Sequence, residues 1–398
     1  MIETDIFISG GGVAGLTAAA AFGAAGFSVI IADPTPPITD ANTIGADLRT
    51  TAFLQPARAF LDCAGLWDRL APHAAPLQIM RIVDAGGADP TPRVTRDFDA
   101  ADISEHPFGW NLPNWLLRRE ILNRIADLPN VTFHAGVGFE SMLTRTTQAR
   151  ITLTDGTRIT AKLVIGADGR SSPVRHAAGI TAATKRYGQK ALTFAVTHDA
   201  PHENVSTEVH RTGGPFTLVP LPDHNGKPCS AVVWMEDGPE AKRLAALDDE
   251  TFNAAATTRS AGVNGPLTLA SRRMVWPIIS QTADRLTAER TALVAEAAHV
   301  MPPIGAQGLN MSLADLSCLL DLAQDTPDAL GSAEMLGAYA RKRGTDIKIR
   351  ATGIDLLNRA SQAENPLLRD LRAKGVEALY GLTPLRHTIM KLGLGARD

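Results

Sequence analysis

The feature that most constrains the fold lies at the start of the chain, where Ile6 to Ala32 run without a charged residue. Such a run invites a transmembrane or signal-peptide reading, but six glycines and many alanines make it small rather than greasy. Glu3 and Asp5 also stand where a signal peptide carries basic residues. The periodicity changes within the run: Asp5 to Ser9 reads as a buried strand, Val13 to about Ala25 as a helix stopped by Gly26, and Phe27 to Ala32 as a second strand. A strand, the turn Gly10-Gly11-Gly12-Val13-Ala14-Gly15, a helix, and a strand ending at Asp33 make half of a doubly wound sheet suited to a dinucleotide. Gly10 permits the tight bend, Gly12 lets backbone approach a pyrophosphate beside the helix-opening Val13 and Ala14, and Gly15 allows close helix packing. Asp33 is placed to accept from ribose hydroxyls.

A chain of 398 residues exceeds one ordinary core, so two interwoven domains are expected. The net charge of -3 leaves no electrostatic footprint for nucleic acid. Cys63, Cys229 and Cys318 are widely spaced without metal-ligand spacing, which fits free thiols in the cytoplasm and no metal site. Charge is uneven: from Tyr339 onward twelve Lys/Arg face six Asp/Glu, a net +6. That excess reads as a solvated helical face or as a tail facing an anionic membrane or an acidic partner.

Nucleotide-domain and sheet patterns alternate along the chain. We expect an α/β fold: a Rossmann-like dinucleotide domain from 1–76, 114–188 and 284–350, interleaved with an antiparallel β-sheet substrate domain from 77–113 and 189–283. A C-terminal helical segment follows from 351–398. Arg49 to Gly65 reads as a helix, with Leu54, Ala57, Phe60 and Leu61 on one face. Strands are expected at 191–197, 216–221, 230–235 and 271–278, with one helix near 248–258. Further helices are expected at 312–322 and 333–357, then short ones separated by Pro366 and Pro384.

Two later motifs also follow buried strands. In Val164-Ile165-Gly166-Ala167-Asp168-Gly169, Asp168 reads equally as a ligand to a ribityl chain or bridging water and as part of a capped structural turn. The stretch from Leu293 to Asn310 reads as a strand, the acidic Glu296, a Pro/Gly loop, and a helix opening at Asn310-Met311-Ser312. Such a helix end aims unpaired N–H groups and a positive dipole forward, which suits the electron-rich edge of a reduced isoalloxazine.

These three motifs, in this order and spacing, resemble the FAD-dependent aromatic hydroxylases of the para-hydroxybenzoate hydroxylase superfamily. The segments Leu66-Trp67-Asp68, Trp110-Asn111-Leu112-Pro113, Asp355-Leu356-Leu357-Asn358-Arg359 and Asn365-Pro366-Leu367-Leu368-Arg369 are similar to those of the ubiquinone-biosynthesis hydroxylases. The resemblance implies FAD as resident cofactor, NAD(P)H as a transient reductant without its own fingerprint, O2, and a phenolic, prenylated aromatic substrate. It also suggests peripheral membrane contact or a quinone-biosynthesis complex. By the same resemblance Gly10, Gly12, Val13, Ala14, Gly15 and Asp33 hold the adenosine and pyrophosphate. Arg49 and Arg118 take the pyrophosphate or flavin edge, with Arg119 as a close competitor for Arg118. Asp168 belongs to the second fingerprint, Glu296 takes the ribityl chain, and Pro303, Gly305, Gly308, Leu309 and Asn310 line the ring.

One departure stands out: Ala295-Glu296 occupies the place of the family's Gly-Asp pair. His299, a lone histidine in a small-residue turn, reads first as a hydrogen-bonded structural group and only weakly as a catalytic one. Phe216, Leu218, Pro220, Trp276 and Pro302 are the candidate walls of an aromatic pocket, with ordinary sheet core as the alternative. A flavin reductase of an isoprenoid substrate and a non-catalytic flavoprotein subunit remain open on sequence alone.

Overall fold

The computed structural model describes residues 2–86, 89, 91–211, 213–362, 387, 388, 390 and 391. Strand Ile2–Ser9, with Ile6, Phe7 and Ile8 fully buried, is the centre of the first sheet. It pairs in parallel with Arg158–Gly166 on one side and Val29–Asp33 on the other. Thr291–Leu293 and Val131–Ala135 extend this parallel core outward. The chain therefore returns to one sheet from positions far apart in sequence. Helix Val13–Ala24 has no polar face, because the helices Asn114–Ala126 and Gln307–Asp325 pack against it in addition to its own sheet.

The second sheet has nine strands and is antiparallel except where Val205–His210 runs parallel to Ile79–Asp84. Strand period fixes its two faces. One face carries Leu192, Phe194, Phe216, Leu218, Val232 and Trp234, which pack under the helices Gly238–Ala245 and Asp249–Arg259 through Leu244 and Phe252. On the other face, Ala191, Met235 and Ile278 pack with Ile304 of the Pro/Gly loop and Ile354 of the long helix Ala333–Ser361. A three-stranded sheet of Thr50–Leu54, Gly109–Pro113 and Ala75–Leu77 stands beside them.

The elements depart from the sequence expectations in several places. The stretch expected to be one helix from Arg49 begins as strand Thr50–Leu54, and its helix opens only at Gln55, with Pro56 in the first turn. Leu54 thus belongs to the strand rather than to the helical face. Strand Ala182–Thr197 starts nine residues before the expected 191 and carries residues 182–188 into the second sheet. Helix Gly238–Ala245 was not anticipated; its start signal is Asp237, which caps Glu240 N, followed by Pro239. The helix expected at Ser312 begins at Gln307, and the long helix runs four residues past the expected Leu357. The short helices expected around Pro366 and Pro384 lie outside the described residues.

Candidate active site

At the glycine turn the structure gives a steric reason for Gly10 and Gly15. Gly10 has φ of +112°, and a Cβ there would sit 2.4 Å from Ala167 O. A Cβ on Gly15 would stand 1.9 Å from Gly10 O, whereas one on Gly12 meets nothing within 4 Å. Gly12 therefore opens onto unfilled space at the end of helix Val13–Ala24, which no side chain among the described residues caps. Asp33 is fixed beside the turn, accepting from Gly11 N at 2.5 Å and Thr35 N at 2.7 Å. Oriented donors, a carboxylate and open space fit the adenosine and pyrophosphate of a dinucleotide.

Asp168 joins two strand ends: its Oδ2 accepts from Ser9 Oγ at 3.0 Å and Val174 N at 3.1 Å. Its Oδ1 is buried without a partner among the described residues. Burial raises its pKa, although Ser172 and Val174 oppose the rise. One oxygen thus serves the local turn and the other can accept from a ligand or water.

The residues after strand Thr291–Leu293 turn sharply, with Ala295 at φ of +54° opening a 3-10 turn Ala295–Ala297. Glu296 is exposed on this turn. Arg49 faces it. Arg49 chelates Asp47 through Nε at 2.8 Å and Nη2 at 2.7 Å, and its guanidinium lies 4.2 Å from the centre of the Trp276 ring. Burial works against the Asp47 carboxylate, but Arg49, Asn114 and Arg118 outweigh it and hold its pKa below the ordinary value. Burial likewise disfavours the Arg49 charge, yet Asp47 and then Glu296 raise its pKa overall. Arg118 Nη2 approaches Asp47 at 3.7 Å, whereas Arg119 pairs with Glu120 and lies over Trp115. The structure brings Arg118, not Arg119, to Arg49, and the two side chains diverge because adjacent helical residues point about 100° apart.

In the loop, Pro303, Gly305 and Gly308 are exposed and a Cβ on Gly308 would meet nothing within 4 Å. Leu309 is half-buried against the first core. Helix Gln307–Asp325, lacking a side-chain cap among the described residues, opens behind this rim. Asn310 is committed elsewhere: Nδ2 donates to Ala52 O and Ala306 O, and Oδ1 accepts from Leu54 N, so its side chain latches the helix to strand Thr50–Leu54. His299 is 2 % exposed and lies 2.6 Å from Asp315 Oδ2, a buried contact that supports the structural reading over the catalytic one.

The aromatic-pocket assignment needs a second correction. Phe216 and Leu218 point into the helix-covered core, where Phe216 packs edge-on to Trp234 at 5.4 Å. Pro220 shares their phase, and Pro302 is buried inside the loop turn. The opposite phase carries Thr193, Thr217, Val219 and Val233, with Trp276 donating to Thr193 Oγ1 at 3.2 Å. Val219 packs toward Ala52 and Leu54, and Val233 toward Met301 and Ile304. Trp276 alone of the proposed walls lies on this phase. The missed signal was the short helix 238–245, whose apolar side, Ala241 and Leu244, covers one face of the sheet and so takes the bulkier phase.

The glycine turn, the Arg49 cluster and the loop rim together offer oriented donors, charge and open space of the kind a dinucleotide cofactor needs. A sequence profile of the FAD-binding domain family matches residues 3–345. The chain belongs to the FAD-dependent aromatic hydroxylases. It is 32% identical over 98% of its length to the ubiquinone hydroxylase UbiL of Rhodospirillum rubrum, of which 89% is covered. It is 26% identical to the 3-demethoxyubiquinol 3-hydroxylase of Escherichia coli K12, with 98% of each chain covered. The crystal structure of p-nitrophenol 4-monooxygenase PnpA from Pseudomonas putida superposes at a TM-score of 0.80 with 18% identity over the whole of both chains. That last likeness bears on the fold. The family makes the protein an FAD-dependent monooxygenase.

Proposed function

We propose that this hydroxylase acts on the phenolic ring of a prenylated quinone precursor, with NAD(P)H as transient reductant and O2 as co-substrate. The observation that carries the reading is the half-exposed wall of Thr217, Val219, Val233 and Trp276, in which Val233 packs toward Met301 and Ile304 of the loop and Trp276 lies under Arg49. It offers a largely apolar surface beside the place a flavin ring would take. The relatives named for ubiquinone chemistry, matched nearly end to end, supply the substrate class.

Gly10, Gly12, Val13, Ala14, Gly15 and Asp33 would hold the adenosine and pyrophosphate. Arg49 and Arg118 would take the pyrophosphate or ring edge, and Glu296 the ribityl hydroxyls. Backbone of Pro303, Gly305, Gly308 and Leu309 would line the ring. Bound there, the flavin supplies reductive activation of oxygen. The protein's own work is placement. The opening of helix Gln307–Asp325 favours negative charge at its N-terminus, and Trp276, Val219 and Val233 exclude water from the ring they bed. Arg49, already paired to Asp47, keeps its guanidinium in one orientation on Trp276.

A substrate with an isoprenoid tail resides in a bilayer, so the basic C-terminal stretch is the proposed contact with a membrane surface or a quinone-biosynthesis assembly. Among the described residues no helix is long and apolar enough to cross a membrane. The stretch Thr383 to Leu392, with Leu385, Ile389 and Leu392 at helical spacing, lies largely outside those residues. Removing residues 383–398 is expected to lower binding to anionic liposomes at unchanged FAD content.

The test of the main reading is a strain lacking this protein, analysed by mass spectrometry for the quinone intermediate it accumulates. Accumulation of a prenylated phenol one hydroxyl short, relieved by the parent gene, supports it. An unchanged quinone profile, or a purified protein that stays colourless with added FAD, overturns it.

A further inference from the structure

The loop between His299 and Gln307 has its two ends joined by a second route that does not pass through it. His299 Nε2 lies 2.6 Å from Asp315 Oδ2, and Asp315 Oδ1 accepts from Arg343 Nε at 2.7 Å. Arg343 Nη1 donates to Asp346 Oδ2 at 2.8 Å, and Asp346 Oδ1 accepts from Arg350 Nε at 3.0 Å. Arg350 Nη1 then donates to Gln307 Oε1 at 2.7 Å, and Gln307 Nε2 turns back onto Gly305 O at 2.9 Å. Three of these six residues, Arg343, Asp346 and Arg350, stand on the long helix Ala333–Ser361.

The two halves of this chain differ in kind. The His299, Asp315 and Arg343 side chains are 1%, 0% and 9% exposed, so removing one partner leaves buried polar groups uncompensated and destabilises the region strongly. The Asp346 and Arg350 side chains are 34% and 30% exposed, where a salt bridge contributes little to stability. A stability role does not account for the outer half. Asp346, Arg350 and Ile354 lie four residues apart on one helical face, and Ile354 packs against Ile304 and Met301 of the same loop. One face of the helix thus grips the loop by a polar contact at Gln307 and an apolar contact at Ile304.

We propose that Arg350 is a positioning residue for the flavin. Through Gln307 and Gly305 it fixes where the backbone of the exposed rim and the opening of helix Gln307–Asp325 stand. A few tenths of an ångström there change the field that the first-turn N–H groups present to the ring. This rests on the reading of the loop as the flavin-facing rim.

The test uses the full-length holoprotein with Arg350→Met, Gln307→Ala, the double variant and Arg350→Lys. FAD dissociation constants, the midpoint potential and visible spectrum of the bound flavin, melting temperature, kcat and KM are compared. Each single variant is expected to bind FAD about 3- to 10-fold more weakly, the span of one charge-assisted hydrogen bond at a partly exposed site. The flavin potential and spectrum shift with it, and kcat falls at near-parental KM. The double variant should lose clearly less than the sum of the two singles, because both break the same Arg350–Gln307 contact. Arg350→Lys should recover part of the loss. Parental affinity and potential in Arg350→Met overturn the proposal, as do additive losses in the double variant. A melting temperature that falls as far as FAD affinity, unrelieved by lysine, also overturns it in favour of a purely structural contact. A parent protein that binds no FAD removes the flavin reading itself, a result distinct from all of these.

Discussion

The two ends of the candidate cofactor site are built from left-handed backbone in opposite ways. At the adenosine end the turn uses glycine, and a Cβ on Gly10 or Gly15 would run into main-chain atoms of Ala167 or Gly10. At the ring end Ala295 and Ala306 each take φ of +54° as alanines, with Gly305 between them in sequence at +64°. The first end is governed by hard contact with backbone that cannot move. The second is governed only by local torsional cost, about 1–2 kcal/mol per non-glycine residue, which the surrounding packing absorbs. Alanine in place of the family's glycine at 295 therefore strains the turn without breaking it.

If that contrast holds, the largest effect belongs to Gly15→Ala. The helix must move off the strand end, and we expect loss of FAD together with loss of soluble folded protein. Gly12→Ala, facing open space, should fold normally but bind FAD poorly; circular dichroism and flavin absorbance on the two variants separate the cases. Equal behaviour of the two would break the contrast.

Next in size is the phase of the sheet wall. Leu218→Ala should cost about 2–4 kcal/mol of stability by opening a cavity, with substrate KM unchanged. Val219→Ala should do the reverse, raising KM at nearly parental stability. Denaturant melts and steady-state kinetics on the pair check this, and an exchange of the two outcomes would restore Phe216, Leu218 and Pro220 as the substrate wall.

At the ring end, Glu296→Ala is expected to weaken FAD binding by about 1.5 kcal/mol, the low end for a charge-assisted hydrogen bond because the side chain is exposed. Glu296→Asp should bind FAD at least as well as the parent. Titration of apoprotein with FAD reads both, and equal affinity in the parent and the alanine variant shows that Glu296 points elsewhere. The smallest effect is Ala295→Gly, which should raise stability by about 0.5–1 kcal/mol, strain relief exceeding the added freedom of the unfolded chain. A lower melting temperature would mean that the turn is not strained.

The same contrast explains what the sequence made legible. Gly10 and Gly15 were legible because backbone contact leaves no room for a Cβ, and Gly12 and Asp33 because they complete the same strand–turn–helix–strand pattern. The resemblance carried Arg49, Asp168 and Glu296, and the structure brings Arg49 to Trp276 and within electrostatic reach of Glu296. The wall was missed by one residue because alternation gives a period of two without saying which phase a distant helix will cover. The helix opening at Gln307 was hidden because Ala306, an alanine in a left-handed conformation, offers none of the usual cap chemistry. The partnership of His299 with Asp315 and Arg343 joins residues up to 44 apart on three elements, and no local pattern announces it.

The central claim is that this cleft hydroxylates a phenolic ring at a flavin. The most direct measurement is single-turnover reaction of the reduced holoprotein with a prenylated phenol under isotopically heavy O2, followed by mass spectrometry of the product. The account predicts one heavy oxygen atom in the new ring hydroxyl. Product that is reduced rather than oxygenated, or a hydroxyl carrying oxygen from water, would contradict it.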